Sequence, residues 1–302
     1  MDFEIRDLTK SFGEKQVLQG INFSIMRGKA IGLLGRNGAG KTTTIRIIMQ
    51  VFRADSGEVL LDGEPLDIKK TNIGYLPEER GLYPKKKIMD QLIYFARLKD
   101  IPLKQARANA EKLLERLDMT QYANSKLDTL SKGNQQKIQL VSTLISEPEI
   151  VILDEPFSGL DPVNAMMLKD VVRELIADNK IVILSSHQMN YIEEFCDEIA
   201  ILNQGKIVLS GNIKEIKRGY DRKDVLVETG QAELLSEALR EISDVVESVS
   251  ESGGGILIKL KRADDKGLIL KTVADTGIDI DGFKVAEPSL NDIFVGYTEG
   301  AV

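Results

Sequence analysis

The run Gly35-Arg36-Asn37-Gly38-Ala39-Gly40-Lys41-Thr42 directly follows the apolar stretch Ala30-Ile31-Gly32-Leu33-Leu34 and leads into a segment of helical character beginning near Lys41. Placed between a buried strand and a helix start, such a run lets successive backbone N–H groups curl around a phosphate, while the helix N-terminus adds partial positive charge. Lys41 is then positioned to reach the β- and γ-phosphates of a nucleotide, and the Thr42 hydroxyl to ligate Mg²⁺. A glycine-rich surface loop is the plain alternative, but it would need neither the strand before nor the helix after.

Further along, the apolar run Ile150-Val151-Ile152-Leu153 ends in Asp154 and Glu155. A strand buried on both faces reads as a continuous apolar run, and ligands of open α/β sheets bind beyond the carboxyl ends of the strands. Two carboxylates at that edge divide two jobs: Asp154 holds the Mg²⁺ shell, and Glu155 orients and deprotonates an attacking water. Adjacent acids can also be a helix-capping pair, yet the phosphate loop independently requires a metal partner. The single histidine, His187, closes a third strand, Lys180-Ile181-Val182-Ile183-Leu184-Ser185-Ser186. Lone histidines are usually packed or surface residues, but at this edge His187 reads as a γ-phosphate sensor, and one histidine excludes a multi-histidine metal site. Ser131-Lys132-Gly133 opens another helix, with Ser131 as its N-cap and the helix dipole behind it. A second helix start able to face another molecule's γ-phosphate predicts a dimer gated by ATP.

These residues, in this order, resemble the nucleotide-binding subunit of an ATP-binding cassette (ABC) transporter over about residues 1–217. The resemblance implies that Phe12 stacks on adenine and that Gly35, Asn37, Gly38, Ala39, Gly40, Lys41, Thr42 and the adjacent Thr43 bind the phosphates. It makes Leu130-Ser131-Lys132-Gly133-Asn134-Gln135-Gln136-Lys137 the signature segment, Asp154 and Glu155 the metal-shell acid and general base, and His187 the switch histidine. Ser158-Gly159-Leu160-Asp161 becomes the loop that crosses to the other protomer. Two positions depart from the family pattern. Lys132 and Asn134 replace a usual glycine and glutamine, but the Ser131 hydroxyl and the helix-start N–H groups, including that of Gly133, survive. Glu78 stands where a glutamine normally meets Mg²⁺; it remains an oxygen ligand while adding a charge and losing an amide donor.

The elements that must position these groups are also legible. Apolar alternation over residues 3–25, with turns near Gly13 and Gly28, predicts an antiparallel β layer leading into the parallel core. From about 90 to 146, apolar residues at helical spacing predict a helical subdomain inserted between the phosphate loop and the acid strand. After about Lys217 the nucleotide motifs stop, and residues 222–302 read as an accessory domain. Its expected elements are strand 225–228, helix 232–242, hairpin 246–250 and 256–260 turning at Gly253-Gly254-Gly255, helix 268–274, strand 280–285 and a short helix 291–297. That β-α-β-β-α-β order is ferredoxin-like. The predicted fold class is therefore α/β: a P-loop NTPase core of ABC ATPase type with an antiparallel β layer and inserted helices, followed by a small α+β ferredoxin-like domain.

The chain has 302 residues, 42% hydrophobic and 29% charged, and a formal net charge of −7. That length accommodates two domains, and no apolar run approaches the ~20 residues needed to span a bilayer. The acidic start Met1-Asp2-Phe3-Glu4 lacks the basic region of a signal peptide. The lone cysteine, Cys196, cannot form an internal disulfide and reads as a buried core residue. Acidity argues against extensive nucleic-acid binding, as does the absence of a long heptad run interrupting the cassette. A small-molecule phosphotransferase remains an alternative, but it leaves Ser131 and His187 without a role. With the ending Glu287-Pro288-Ser289-Leu290-Asn291-Asp292-Ile293-Phe294, the loop from Leu76 to Pro84 resembles bacterial exporter ATPases of the ABC-2 type. This resemblance implies ATP and Mg²⁺ as ligands, an integral membrane permease as partner, pairing with an identical or related ATPase subunit, and a cytoplasmic position on the inner face of the membrane. Leu82 and Tyr83 are the expected permease contacts, and Lys85-Lys86-Lys87 a solvated face.

Overall fold

Apolar alternation near the start of the chain becomes two long antiparallel strands, β1 (Phe3–Phe12) and β2 (Lys15–Ile25), which turn at Gly13 with φ 59°. The computed structural model describes residues 2–79, 81–158, 160–220, 222–240, 242–252 and 255–299. β1 also pairs with β4 (Ser56–Leu61), and β5 (Glu64–Pro65) completes an antiparallel sheet in the order β2-β1-β4-β5. The continuous apolar runs form a second sheet instead. It contains β3 (Lys29–Leu34), β6 (Ile73–Leu76), β7 (Ile150–Asp154), β8 (Ile181–Ser186), β9 (Glu198–Asn203) and β10 (Lys206–Asn212), in the order β10-β9-β3-β8-β7-β6. All its pairings are parallel except the β9–β10 edge. Burial on both faces removes any reason for alternation in β7 and β8, whose residues are all buried.

Phe3, Ile5, Leu18 and Ile21 of the antiparallel layer share one core cluster with Ile31, Leu33, Ile152 and Ile183 of the parallel sheet. Ile45 and Ile48 of α1 (Lys41–Ile48) join the same cluster, so the helix after the phosphate loop is anchored from its apolar side. Helices α2 (Ile88–Leu98), α3 (Leu103–Arg116) and α4 (Lys132–Leu144) form the insertion between β6 and β7. Crossovers α5 (Pro162–Ala177) and α6 (Met189–Phe195) follow β7 and β8. α6 lies close on β3 because Gly32 has no side chain: a Cβ there would fall 2.3 Å from Ile192 Cγ2. Cys196 caps this helix, and burial pushes its thiol well above the usual range.

Strand register places the chemistry. Leu34 aligns with Ser186, Asp154 with Ser185, and Leu76 with Leu153. The loops leaving β3, β6, β7 and β8 therefore all begin at one carboxyl edge, where an open α/β sheet receives its ligand.

The chain divides into two compact units, Met1–Ile213 and Lys214–Val302, with α7 (Ile213–Arg218) at the division. In the second unit, β11 (Asp224–Glu228), α8 (Ala232–Arg240), β12 (Val246–Ser252), β13 (Gly255–Leu260), α9 (Lys266–Asp275) and β14 (Gly282–Ala286) follow the ferredoxin-like order, and α10 (Leu290–Glu299) ends it. The sheet runs β12-β13-β11-β14, and all its pairings are antiparallel. Leu235 and Leu239 of α8, with Ile269 and Val273 of α9, cover Val225, Val227, Ile256 and Ile258. The last strand starts at Gly282 rather than Ile280, because Asp279 is held by Thr229 and Gln231 side chains and the Asp281 N–H by the Glu228 carbonyl. Gly253 and Gly254 of the expected turn lie outside the described residues. Among the described residues, no helix is long and apolar enough to cross a membrane.

Candidate functional site

The phosphate loop depends on backbone that only glycine adopts easily. Gly38 has φ 82° and Gly40 φ 118°, the latter as N-cap of α1. A side chain at Gly40 would also meet Leu18 Cδ2 at 2.7 Å. Lys41 is 7% exposed, and its ammonium donates to the Gly35 carbonyl at 2.6 Å. Asn37, Gly38, Gly40, Lys41, Thr42 and Thr43 line a cleft of about 350 Å³ together with Glu78, Asp154 and Glu155. Arg36 and, from β2, Lys15 and Val17 also line it; nothing in the local pattern around Lys15 and Val17 marks them out. Gly35 and Ala39 shape the loop rather than the cleft lining, since the Ala39 N–H closes a turn onto Arg36. Phe12 is 44% exposed, meets Phe52 edge to face at 5.3 Å and lies outside the cleft lining.

Asp154 and Glu155 are both buried, and their surroundings differ. The Ser185 hydroxyl donates to Asp154 Oδ1 and the Tyr75 hydroxyl to Oδ2 at 3.4 Å. Burial dominates these hydrogen bonds and raises the Asp154 carboxyl above its ordinary value. Burial and the Asp154 charge together push the Tyr75 phenol up to about 12. Glu155 takes a left-handed φ of 49°, fixed by its N–H donating to the Ser185 carbonyl at 3.0 Å. Its Oε2 accepts from the Ser186 hydroxyl at 3.3 Å and the His187 backbone N–H at 3.4 Å, and His187 Nδ1 lies 2.9 Å away. Oε1 faces Lys41 at 4.0 Å. One carboxylate oxygen is thus engaged by Ser186 and His187, and the other is turned toward the phosphate loop.

Among the described residues, no three His, Cys, Asp or Glu side chains converge as a metal cage. A hydroxyl with one or two carboxylates at the edge of a phosphate loop is nonetheless the set Mg²⁺ accepts when phosphates and water complete its shell. Thr42, Asp154 and Glu78 share one cleft and could supply such a set. The raised carboxyl also has a stability consequence. Folded Asp154 binds its proton more readily than unfolded Asp154, so the nucleotide-free protein loses stability as pH rises through the Asp154 titration. Asp154→Asn is expected to raise the melting temperature of the nucleotide-free protein at neutral pH by about 2 °C. The gain over wild type should grow as pH is raised from about 4 toward neutrality in parallel thermal melts; a gain that shrinks with pH would reverse the sign.

Ser131, Gly133 and Asp161 gather elsewhere, at the starts of α4 and α5. The Ser131 hydroxyl accepts from the Asn134 N–H at 3.4 Å and caps α4. A side chain at Gly133 would come within 2.8 Å of Asn164 Nδ2. Asp161 caps α5 by accepting from the Asn164 N–H at 2.9 Å and from its amide Nδ2 at 2.6 Å, bonds that hold its carboxyl below the usual value. None of the three lines the cleft. Gln139 joins the two regions, donating from α4 to the carbonyls of Pro77 at 3.2 Å and Glu79 at 3.1 Å on either side of Glu78.

Fold and cleft define a phosphate-loop ATPase of cassette architecture. Residues 18–158 match the family described as ABC transporter, and residues 211–298 match the C-terminal domain of DrrA1-3-like ATP-binding proteins. YhaQ, an ABC transporter ATP-binding protein of Bacillus subtilis (strain 168), is 41% identical over 96% of this chain and 96% of its own length. The linearmycin resistance ATP-binding protein LnrL of the same organism is 29% identical over 98% of this chain and 97% of its own. A solved ATP-binding subunit of an ABC transporter superposes with a TM-score of 0.67 at 29% identity, covering 72% of this chain and 92% of that one. The chain belongs to the ATP-binding proteins of ABC transporters. It is an ATP hydrolase that powers transport through a separate membrane permease.

Proposed function

We propose that the chain drives export by closing, with ATP as glue, onto a second ATPase subunit, identical or related. The separation of the Ser131–Gly133–Asp161 group from the Lys41–Glu155 cleft carries this reading, because a γ-phosphate bound at Lys41 finds no donors from the signature helix within its own chain. Residues 1–217 act as the ATPase domain and 222–302 as its accessory domain. Phe12 stacks on adenine, Gly35 to Thr43 hold the phosphates, and Ser131 with the Gly133 N–H reaches the partner's γ-phosphate while the Asp161 loop crosses over. Thr42, Asp154 and Glu78 would hold Mg²⁺, which neutralises phosphate charge when bound. Glu155 takes a proton from the attacking water and His187 senses the γ-phosphate; closure excludes water from the loose transition state. Loss of the phosphate bridge then relaxes the dimer.

Tyr83, half exposed, stacks parallel on Phe95 at 6.1 Å between the Glu78 loop and α2, which makes Leu82 and Tyr83 suitable contacts for a permease segment. Such a contact keeps the subunit peripheral on the cytoplasmic face of the membrane, without nucleic acid as partner. Export as the direction rests on the family resemblance and on the resistance function that LnrL's name records for that protein. The test is the mass of Glu155→Gln in solution with Mg·ATP and with Mg·ADP. A dimer that forms with ATP alone supports the sandwich; a monomer in both, with wild-type turnover retained, overturns it.

A further inference from the structure

Between the Glu155 turn and the helix after His187 lies a cluster of aromatic rings that neither phosphate binding nor proton transfer uses. Phe157 is buried and sits within two successive turns, Ser158 N–H to Glu155 carbonyl at 3.1 Å and Leu160 N–H to Phe157 carbonyl at 3.3 Å. Its ring stacks on Tyr191 at 4.2 Å with 22° between the planes, and on Phe195 at 5.6 Å with 20°. Tyr191 and Phe195 are one turn apart on α6 and so present one face. Lys169 of α5 stands 5.6 Å from the Tyr191 ring centre and 5.5 Å from that of Phe195, and Arg173 stands 5.7 Å from Phe195. Both cations are tied to Glu194 of α6, at 2.7 Å and 3.3 Å. An adjacent face of α6 is seated on β3 through Ile192 against Gly32, which leaves the helix little room to shift on its own.

We infer that Phe157 and Tyr191 are positioning residues, whose stack sets His187 against Glu155 and makes that setting depend on the Asp161 loop. Asp161 lies four positions after Phe157, and Tyr191 four positions after His187. A stacked pair resists sliding because both dispersion and ring electrostatics favour the offset geometry. Displacement at Asp161 is therefore felt at Tyr191, and through the start of α6 at His187, whose Nδ1 lies 2.9 Å from Glu155 Oε2. A contact at the loop edge far from Lys41 can thus reach the base without passing through the nucleotide. The inference rests on the roles given above to Glu155, His187 and Asp161.

The experiment exploits His187 being the only histidine in the chain. Imidazole ¹⁵N spectra of the full-length protein report on this ring alone, and they are recorded beside kcat and KM for ATP. Tyr191→Ala is expected to move the His187 Nδ1 resonance toward that of a free imidazole and to lower kcat about tenfold, with KM held within about twofold. Tyr191→Phe keeps the ring and should restore both. Phe157→Leu fills the same space without a π face; it carries the same expectation as Tyr191→Ala and serves if the alanine variant fails to fold. In a His187→Ala background, Tyr191→Ala should cost nothing further. An unchanged His187 spectrum in both ring-deleting variants overturns the inference, as does a full tenfold loss added on top of His187→Ala. Wild-type turnover in His187→Ala alone would instead remove the sensor role of His187, and the spectrum would still decide whether the stack places the ring.

Discussion

Glu155→Gln is expected to lower ATP turnover by about 10³-fold while leaving KM nearly unchanged. The carboxylate is held so that only one oxygen can act: Oε2 is engaged by Ser186 and His187, and Oε1 points toward Lys41. A glutamine is isosteric and can keep its carbonyl oxygen toward the donors of β8, so the left-handed turn at residue 155 and the fold around it survive. What is lost is the group that can take a proton from water. Nucleotide affinity should be intact by titration with a fluorescent ATP analogue, separating chemistry from binding. Turnover within about threefold of wild type would mean that another group serves as base.

Lys41→Ala acts one step earlier. Its ammonium is almost wholly buried, donates to Gly35 and lies within reach of Glu155, so its position is preset before any phosphate arrives. A charge-assisted hydrogen bond to phosphate contributes about 2–3 kcal/mol. Losing it should weaken ATP binding by roughly 30- to 150-fold. Turnover at saturating ATP should fall as well, because the same ammonium would neutralise charge that grows on the γ-phosphoryl oxygens. The two variants separate cleanly: Glu155→Gln loses turnover with binding intact, and Lys41→Ala is weakened in both. An ATP affinity within twofold of wild type would remove Lys41 from phosphate contact.

Much of this arrangement is legible in the chain because its parts are local. The phosphate loop, the acid pair and His187 each close a contiguous apolar run, and a run of that kind identifies a buried strand without knowledge of its neighbours. The Ser131 cap is local in the same way. Hidden from such reading are the contacts set by register. Ser185 and Tyr75 hold Asp154 only because β8 and β6 flank β7 at matching heights. Lys15 and Val17 line the cleft from the separate antiparallel layer, and Gln139 grips the Glu78 loop from a helix about sixty residues away. In the second unit the periodic pattern anticipates each strand and helix, whereas the start of β14 is decided by side chains of the β11–α8 connection.

The strand order also governs when the protein can acquire its activity during synthesis. β1, β2 and β4 pair with one another and are complete by Leu61. β3, which carries the phosphate loop, pairs with β8 and β9, whose residues run from Ile181 to Asn203. A nascent chain halted anywhere before β8 therefore holds the phosphate loop on a strand with both hydrogen-bonding edges open. Non-local parallel pairing of this kind is slow and leaves the intermediate prone to aggregation. The growing polypeptide thus passes through a long interval in which the Gly35–Thr42 loop has been synthesised but cannot yet hold ATP, and the nucleotide cannot stabilise the fold until some two-thirds of the chain has emerged.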